Sequence, residues 1–303
     1  MITDHRECVE WSDARENGMV LVIVLWITTL LAVMAGSFAY SMRIETRLAT
    51  GTVERAQARA LAEAGIAYAL VWQLDPEAQK QWSPNGDWRE WSFGGGRLRI
   101  QVVDAGGLVN LNTANSELLK ALLSAAGVDS QDQDRLADAI QDWRDPDDQP
   151  LPHGAESGDY RAAGRPGPKN APFESVEELG EVLGMTQALY ERIADVDTVF
   201  SYHSGVNPEL APARLLQALG LDERTVADYL ATRASAVADG SPPPPLQAGD
   251  GQSFFSPSRA NVYHMTVTAE TESGTSVTIK AVIDGRSVAT EQNPRVLAWR
   301  AGR

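Results

Sequence analysis

The sequence predicts an α+β protein with a long N-terminal helix, a small antiparallel sheet, and a large helical segment inserted between two parts of that sheet. Three observations predict it. A charge-free apolar run passes without interruption into an amphipathic helical stripe. Strand-like alternation appears near residue 98 and returns only after residue 260. Between these, residues 105–235 read as short helices joined by polar loops and contain an internal repeat.

The apolar run extends from Met19 to Met42, 24 residues without a charge, where about 20 cross a bilayer as a helix. The 18 residues before it carry two Arg against five acidic side chains, so they lack the basic front of a secretory signal. Gly18 stands directly before Met19, at the border of the polar leader. Helical spacing continues beyond the run through Ile44, Leu48, Ala56, Ala60, Leu61, Ala64, Ala67, Leu70 and Leu74, predicting one helix over residues 19–74.

Residues 75–104 form the first part of the sheet. Trp82, Trp88 and Trp91 mark packing in residues 75–92, Gly94-Gly95-Gly96 makes a turn, and Leu98, Ile100 and Val102 alternate along a strand. The glycines are not followed by Lys-Ser/Thr, so they are not a phosphate loop.

In residues 105–235, Val109-Asn110, Ala114, Leu118-Leu119 and Ala121-Leu122 recur 97 residues later as Val206-Asn207, Ala211, Leu215-Leu216 and Ala218-Leu219. Each copy opens a helix on a polar stretch, buries a Leu pair, closes at Gly127 or Gly220, and starts a second helix. Between the copies, residues 173–193 read as a further helical pair. Such pairs look like SAM-like or helix-hairpin-helix units, which often bind DNA. Here, residues 104–235 hold 23 Asp/Glu against 10 Lys/Arg and no Gly-x-Gly hairpin, which excludes the usual backbone-phosphate mode and predicts no nucleic-acid partner. The whole chain has a formal charge of -15. Residues 236–256, with four consecutive prolines, read as a linker, and residues 257–303 return to the sheet with a hairpin at Glu272-Ser273-Gly274 and a last strand near Val296.

Catalytic constellations are not apparent. His5, His153, His203 and His264 have no zinc spacing, no nucleophile elbow occurs, and Cys8 lies in the leader. No catalytic residue or bound cofactor is therefore expected. The acidic loop beginning Asp142-Trp143-Arg144-Asp145-Pro146-Asp147-Asp148 and continuing to Glu156 and Asp159 offers clustered oxygens of the kind calcium takes, without EF-hand spacing.

A polar leader ending in glycine, followed by a helix half apolar and half amphipathic, resembles the N-terminus of type IV pilins and pseudopilins. The stretches at residues 55–66, 109–119, 139–148, 173–179 and 296–300, in this order, resemble the pseudopilin K family of type II protein secretion (general secretion pathway protein K). That resemblance implies a pilin-type helix, a sheet and an inserted SAM-like helical domain. It implies cleavage between Gly18 and Met19 by prepilin peptidase, with methylation of the new N-terminus. Ile23, the fifth residue after the cut, stands where the wider family has Glu; its lack is a peculiarity of pseudopilin K and implies the tip position. The resemblance further implies an inner-membrane anchor with a periplasmic body, and partners among the minor pseudopilins of I, J and H type through the N-terminal helix. Calcium is the implied ion, with Asp145, Asp147, Asp148, Glu156 and Asp159 as its candidate ligands. A minor tip pilin of a type IV pilus and a membrane-anchored DNA-uptake receptor share parts of this pattern.

Overall fold

The computed structural model describes residues 16–243, 245–246, 254–286 and 294–302. Most of the leader, with Cys8 and His5, and part of the linker lie outside the described residues. The chain divides into two units, residues 1–56 and 57–303.

The first unit holds most of helix α1 (Glu16–Leu74), which is long and apolar enough to cross a membrane. Its large apolar side chains from Met19 to Met42 are exposed. Thr28 and Thr29 turn their hydroxyls back onto the carbonyls of Val24 and Leu25, so neither presents a free polar group along this stretch. The helix begins at Glu16 and runs without a break through Gly18 and Met19.

The second unit contains the last turns of α1 and everything after them. A short helix, α2 (Pro76–Gln81), starts on Asp75, whose carboxylate accepts the amides of Glu77 and Ala78. Five strands form an antiparallel sheet: β1 (Asn85–Phe93), β2 (Gly96–Asp104), β5 (Val262–Thr271), β6 (Ser276–Asp284) and β7 (Arg295–Gly302). Their spatial order is β1-β2-β5-β6-β7. One face buries Leu98, Ile100, Val267 and Ile279 against Leu61, Ala62 and Ile66 of α1. Alternation sets this face, because period two puts every second residue of β2 and β5 on the helix side.

β2 and β5 are neighbours in space, yet the helical residues lie between them in sequence. Those residues build a separate core around Leu118, Leu119, Ile140, Tyr160, Leu179 and Leu216. Helices α3 (Ser116–Ala125) and α4 (Ser130–Arg144) form one pair, and α7 (Ala213–Ala218) and α8 (Glu223–Ala238) the other. Asp129 and Asp222 cap α4 and α8 through the amides of Asp132 and Thr225. Gly127 and Gly220 close the first helix of each pair at φ +83° and +84°, a conformation that favours glycine.

The internal repeat extends to individual hydrogen bonds. Arg144, at the end of α4, donates to the carbonyls of Leu111 and Ala114; Arg233, in α8, donates to those of Pro208 and Ala211. The acceptors are 97 residues apart, as are Asn110 and Asn207, whose side chains accept the amides of Asn112 and Glu209. Val109, in β3 (Val109–Asn110), pairs in parallel with Asp197 of β4 (Asp197–Thr198), while Val206 pairs in parallel with Phe255.

Several expectations change. Residues 85–93, assigned to the first part of the sheet without strand bounds, form β1. The first element of the pair between the copies is a 3-10 helix, Val176–Glu181, and only α6 (Gln187–Ile193) is α-helical. The stretch read as a linker from 236 to 256 contributes structure at both ends. α8 runs on to Ala238, and Phe254 is buried beside Val206.

Candidate metal centre

The acidic loop leaves α4 at Asp145 and returns to α5 (Ser157–Ala162). Asp142, one turn before the end of α4, is fully buried and accepts the amides of Leu151 and Ala155. It thereby ties the returning half of the loop to the helix. A side chain at Gly154 would overlap the Asp142 carboxylate, so the loop can approach this closely only with glycine there. Asn170 braces the other side by donating to the carbonyl of Asp147 at 2.7 Å.

This frame brings Asp145, Asp147 and Glu156 together, with one oxygen from each within 4.8 Å of the others. Glu156 is 3% exposed, and neither of its oxygens has a hydrogen-bond partner; Oδ1 of Asp145 is likewise buried and unpartnered. Burial first, and then the charges of Asp142, Asp145 and Asp148, push the Glu156 carboxyl up to about 7. Burial, reinforced by Asp147, also raises Asp145. Three converging carboxylates with orphaned buried oxygens are costly without a cation and well suited to a hard one.

The five acidic residues expected from the sequence therefore divide. Asp145, Asp147 and Glu156 converge. Asp148 lies outside this trio, and its Oδ1 is occupied by the amide of Ser157 at 3.2 Å. The Ser157 hydroxyl first, and then this amide, hold Asp148 below the usual carboxylate range. Asp159 accepts the amide of Glu156 at 3.1 Å, so it serves the start of α5. Asp142 and Gly154 organise the loop, yet the sequence pattern assigns neither of them a role. Their signal is slight: an acid three residues before Asp145 and a glycine two residues before the buried Glu156.

The leader junction has a simpler geometry. Gly18, Met19 and Ile23 all lie within α1, and Ile23 is exposed on the apolar run.

A long apolar helix, a small antiparallel sheet and helical parts placed between neighbouring strands define the class: an α+β protein with a helix long and apolar enough to cross a membrane. Comparison with known proteins shows what part of the chain is similar to. Residues 100–201, which span the first repeat copy and the acidic loop, match the family model described as type II secretion system (T2SS), protein K. Type II secretion system protein K of Klebsiella pneumoniae is 32% identical over 203 residues, covering 59% of this chain and 61% of the relative. The protein of the same name from Aeromonas hydrophila is 27% identical over 243 residues, covering 69% and 72%. The fold matches a chain in the crystal structure of the GspK-GspI-GspJ complex of the enterotoxigenic Escherichia coli type 2 secretion system. There the TM-score is 0.57 at 16% identity, covering 83% of this chain and 98% of that one. Over part of its length the chain is thus similar to type II secretion system protein K. It spans about three fifths of the length of the Klebsiella relative.

Proposed function

We propose that this chain is a minor pseudopilin of a type II secretion system, a structural subunit at the pseudopilus tip rather than an enzyme. The observation that carries the reading is the coincidence of a protein K sequence match over residues 100–201 with an apolar helix long enough to anchor the chain. In this reading prepilin peptidase cuts between Gly18 and Met19, and α1 first lies in the inner membrane with the body in the periplasm. Ile23 replaces the acidic residue that would recruit a subunit above it, so the chain ends the filament. α1 then bundles with other minor pseudopilins, supporting export of folded proteins across the outer membrane. The helical residues between β2 and β5 act as a SAM-like domain inserted into the sheet.

Asp145, Asp147 and Glu156 hold a calcium ion in this proposal, with Asp148 at its margin. The orphaned oxygens of Glu156 support that assignment, because a cation supplies the partner they lack. The ion's role is to lock the loop between α4 and α5, not to react.

Mass spectrometry of the N-terminus in cells with and without prepilin peptidase tests the central claim. A mature chain starting at Met19 only when the peptidase is present is the expected result. Identical processing in both strains overturns the pseudopilin reading.

A further inference from the structure

We propose that the outer edge of β1 is a docking strand for an extended, acidic segment of a partner polypeptide. The proposal does not rest on the secretion reading. β1 pairs with β2 on one side and is the end strand of the sheet on the other, so half of its backbone groups face outward. The first residues of the strand are covered: Gly86 lies against Pro212, and Asp87 stands 3.8 Å from Arg233. The register shift between Asn85 and Trp88 also bends this end away from regular pairing. From Trp88 to Phe93 the edge is regular.

Arg89, Trp91 and Phe93 alternate onto the face that carries α1. Trp91 stacks on Tyr68 at 4.1 Å between ring centroids and on Phe93 at 4.7 Å, and Phe93 remains 49% exposed. The Arg89 guanidinium lies 4.9 Å from the Trp72 ring and 4.8 Å from Trp82, gripped between two aromatic faces. Its Nη1 is buried without a hydrogen-bond partner, the residue as a whole is only half-buried, and among the described residues no carboxylate pairs with it. A stacked guanidinium is pre-oriented for a carboxylate, whereas lysine would offer neither the plane nor the fork. Trp, Tyr and Arg are also the residues that dominate binding energy at interfaces. On the opposite face Glu90 stands across from Arg99 and repels a second acid, so the acidic requirement falls on the Arg89 face alone.

The geometry specifies the occupant. A strand added to β1 presents alternate residues to each face. It therefore carries a carboxylate opposite Arg89 and apolar side chains two and four residues away, against Trp91 and Phe93.

The test uses the full chain in detergent and three end-blocked, fluorescently labelled peptides read by anisotropy. The first is Thr-Glu-Thr-Ile-Thr-Ile-Thr, the second replaces Glu with Gln, and the third is N-methylated at alternate residues. Saturable binding of the first is expected, with about tenfold weaker binding of the second, roughly the effect of one charge-assisted contact. The third should not bind, because it cannot complete the backbone ladder. Arg89→Gln should weaken the Glu peptide about tenfold and leave the Gln peptide unchanged, which identifies the pair rather than a folding defect. Phe93→Ser, at a half-exposed site, should weaken both. Absence of saturable binding, equal binding of the Glu and Gln peptides, or undiminished binding of the N-methylated peptide each overturns the proposal.

Discussion

Replacing Glu156 by glutamine should flatten the fall of stability with rising pH and remove the stabilisation by calcium. In the folded chain the Glu156 carboxyl titrates near 7, against an ordinary value of 4.5. Between those values the folded state holds a proton that the unfolded state has released, so stability falls as pH rises. The window of about 2.5 pH units corresponds to about 3 kcal/mol lost between pH 4.5 and 7, at 1.36 kcal/mol per unit. Asp142 and Asp145 are raised as well and add slope of the same sign. The difference between wild type and Glu156→Gln isolates the contribution of Glu156 together with its coupling to them. Glutamine keeps the shape and removes the charge, so the metal-free variant should be more stable than wild type at pH 8 and nearly equal at pH 4.5. Calcium requires the ionised carboxylate and should reverse the wild-type trend, adding about 2.7 kcal/mol at a hundredfold excess over Kd. Thermal unfolding in detergent at pH 4.5, 6, 7 and 8, in chelator and in excess calcium, measures all of this. A change of 1 kcal/mol moves Tm by about 2–4 °C for a body of this size. Parallel pH curves for wild type and variant in chelator, or equal calcium shifts in both, would refute the reasoning.

Other substitutions separate the frame of the loop from its ligands. Gly154→Ala forces a Cβ onto the Asp142 carboxylate and should cost about 1–3 kcal/mol by denaturant titration, with loss of the calcium response although no ligand is changed. Asp197 is fully buried with both carboxyl oxygens unpartnered, and burial holds its pKa well above the carboxylate range, opposed weakly by Arg214. A raised carboxyl gives stability below its unfolded value that is lost as pH rises. Wild type should therefore lose stability with pH more steeply than Asp197→Asn, at equal calcium, when monitored by the same unfolding assay.

The sequence made some of this legible because certain signals are local. The apolar run, the alternation of β2, β5 and β6, and the paired leucines of each repeat all declare themselves within a dozen residues. β1 does not. Arg89, Trp91 and Phe93 share the face that carries α1, and an arginine stacked between two indoles looks polar in sequence although its side chain packs against that face. Phe254 is equally hidden: it comes after a proline- and glycine-rich stretch, and only the amide of Val206, nearly fifty residues earlier and bonded to its carbonyl, makes it structural. In the acidic loop, composition announced a cluster but not its division of labour. Asp148 and Asp159 differ from Asp145 only in which backbone amides the fold brings near them, and that depends on where Asp142 anchors the loop.

The duplicated arginine clamp provides the sharpest test of how the loop is placed. Arg144 and Arg233 do the same work in the two repeat copies, each holding two carbonyls of the turn that opens its copy. Both guanidinium groups have their pKa lowered by burial and sit where removing them leaves acceptors unsatisfied. Methionine at either position should therefore cost about 2–3 kcal/mol, the penalty for orphaning buried acceptors of a charged donor. The two arginines differ in the chain just beyond them. Arg144 is succeeded directly by Asp145, so the clamp also fixes where the loop begins, whereas Arg233 leads into further turns of α8. Arg144→Met should accordingly lose most of the calcium-dependent Tm shift, and Arg233→Met should keep it at comparable destabilisation. Equal calcium shifts in the two variants would mean that the loop is positioned by Asp142 alone, with the clamp serving only the helix pair.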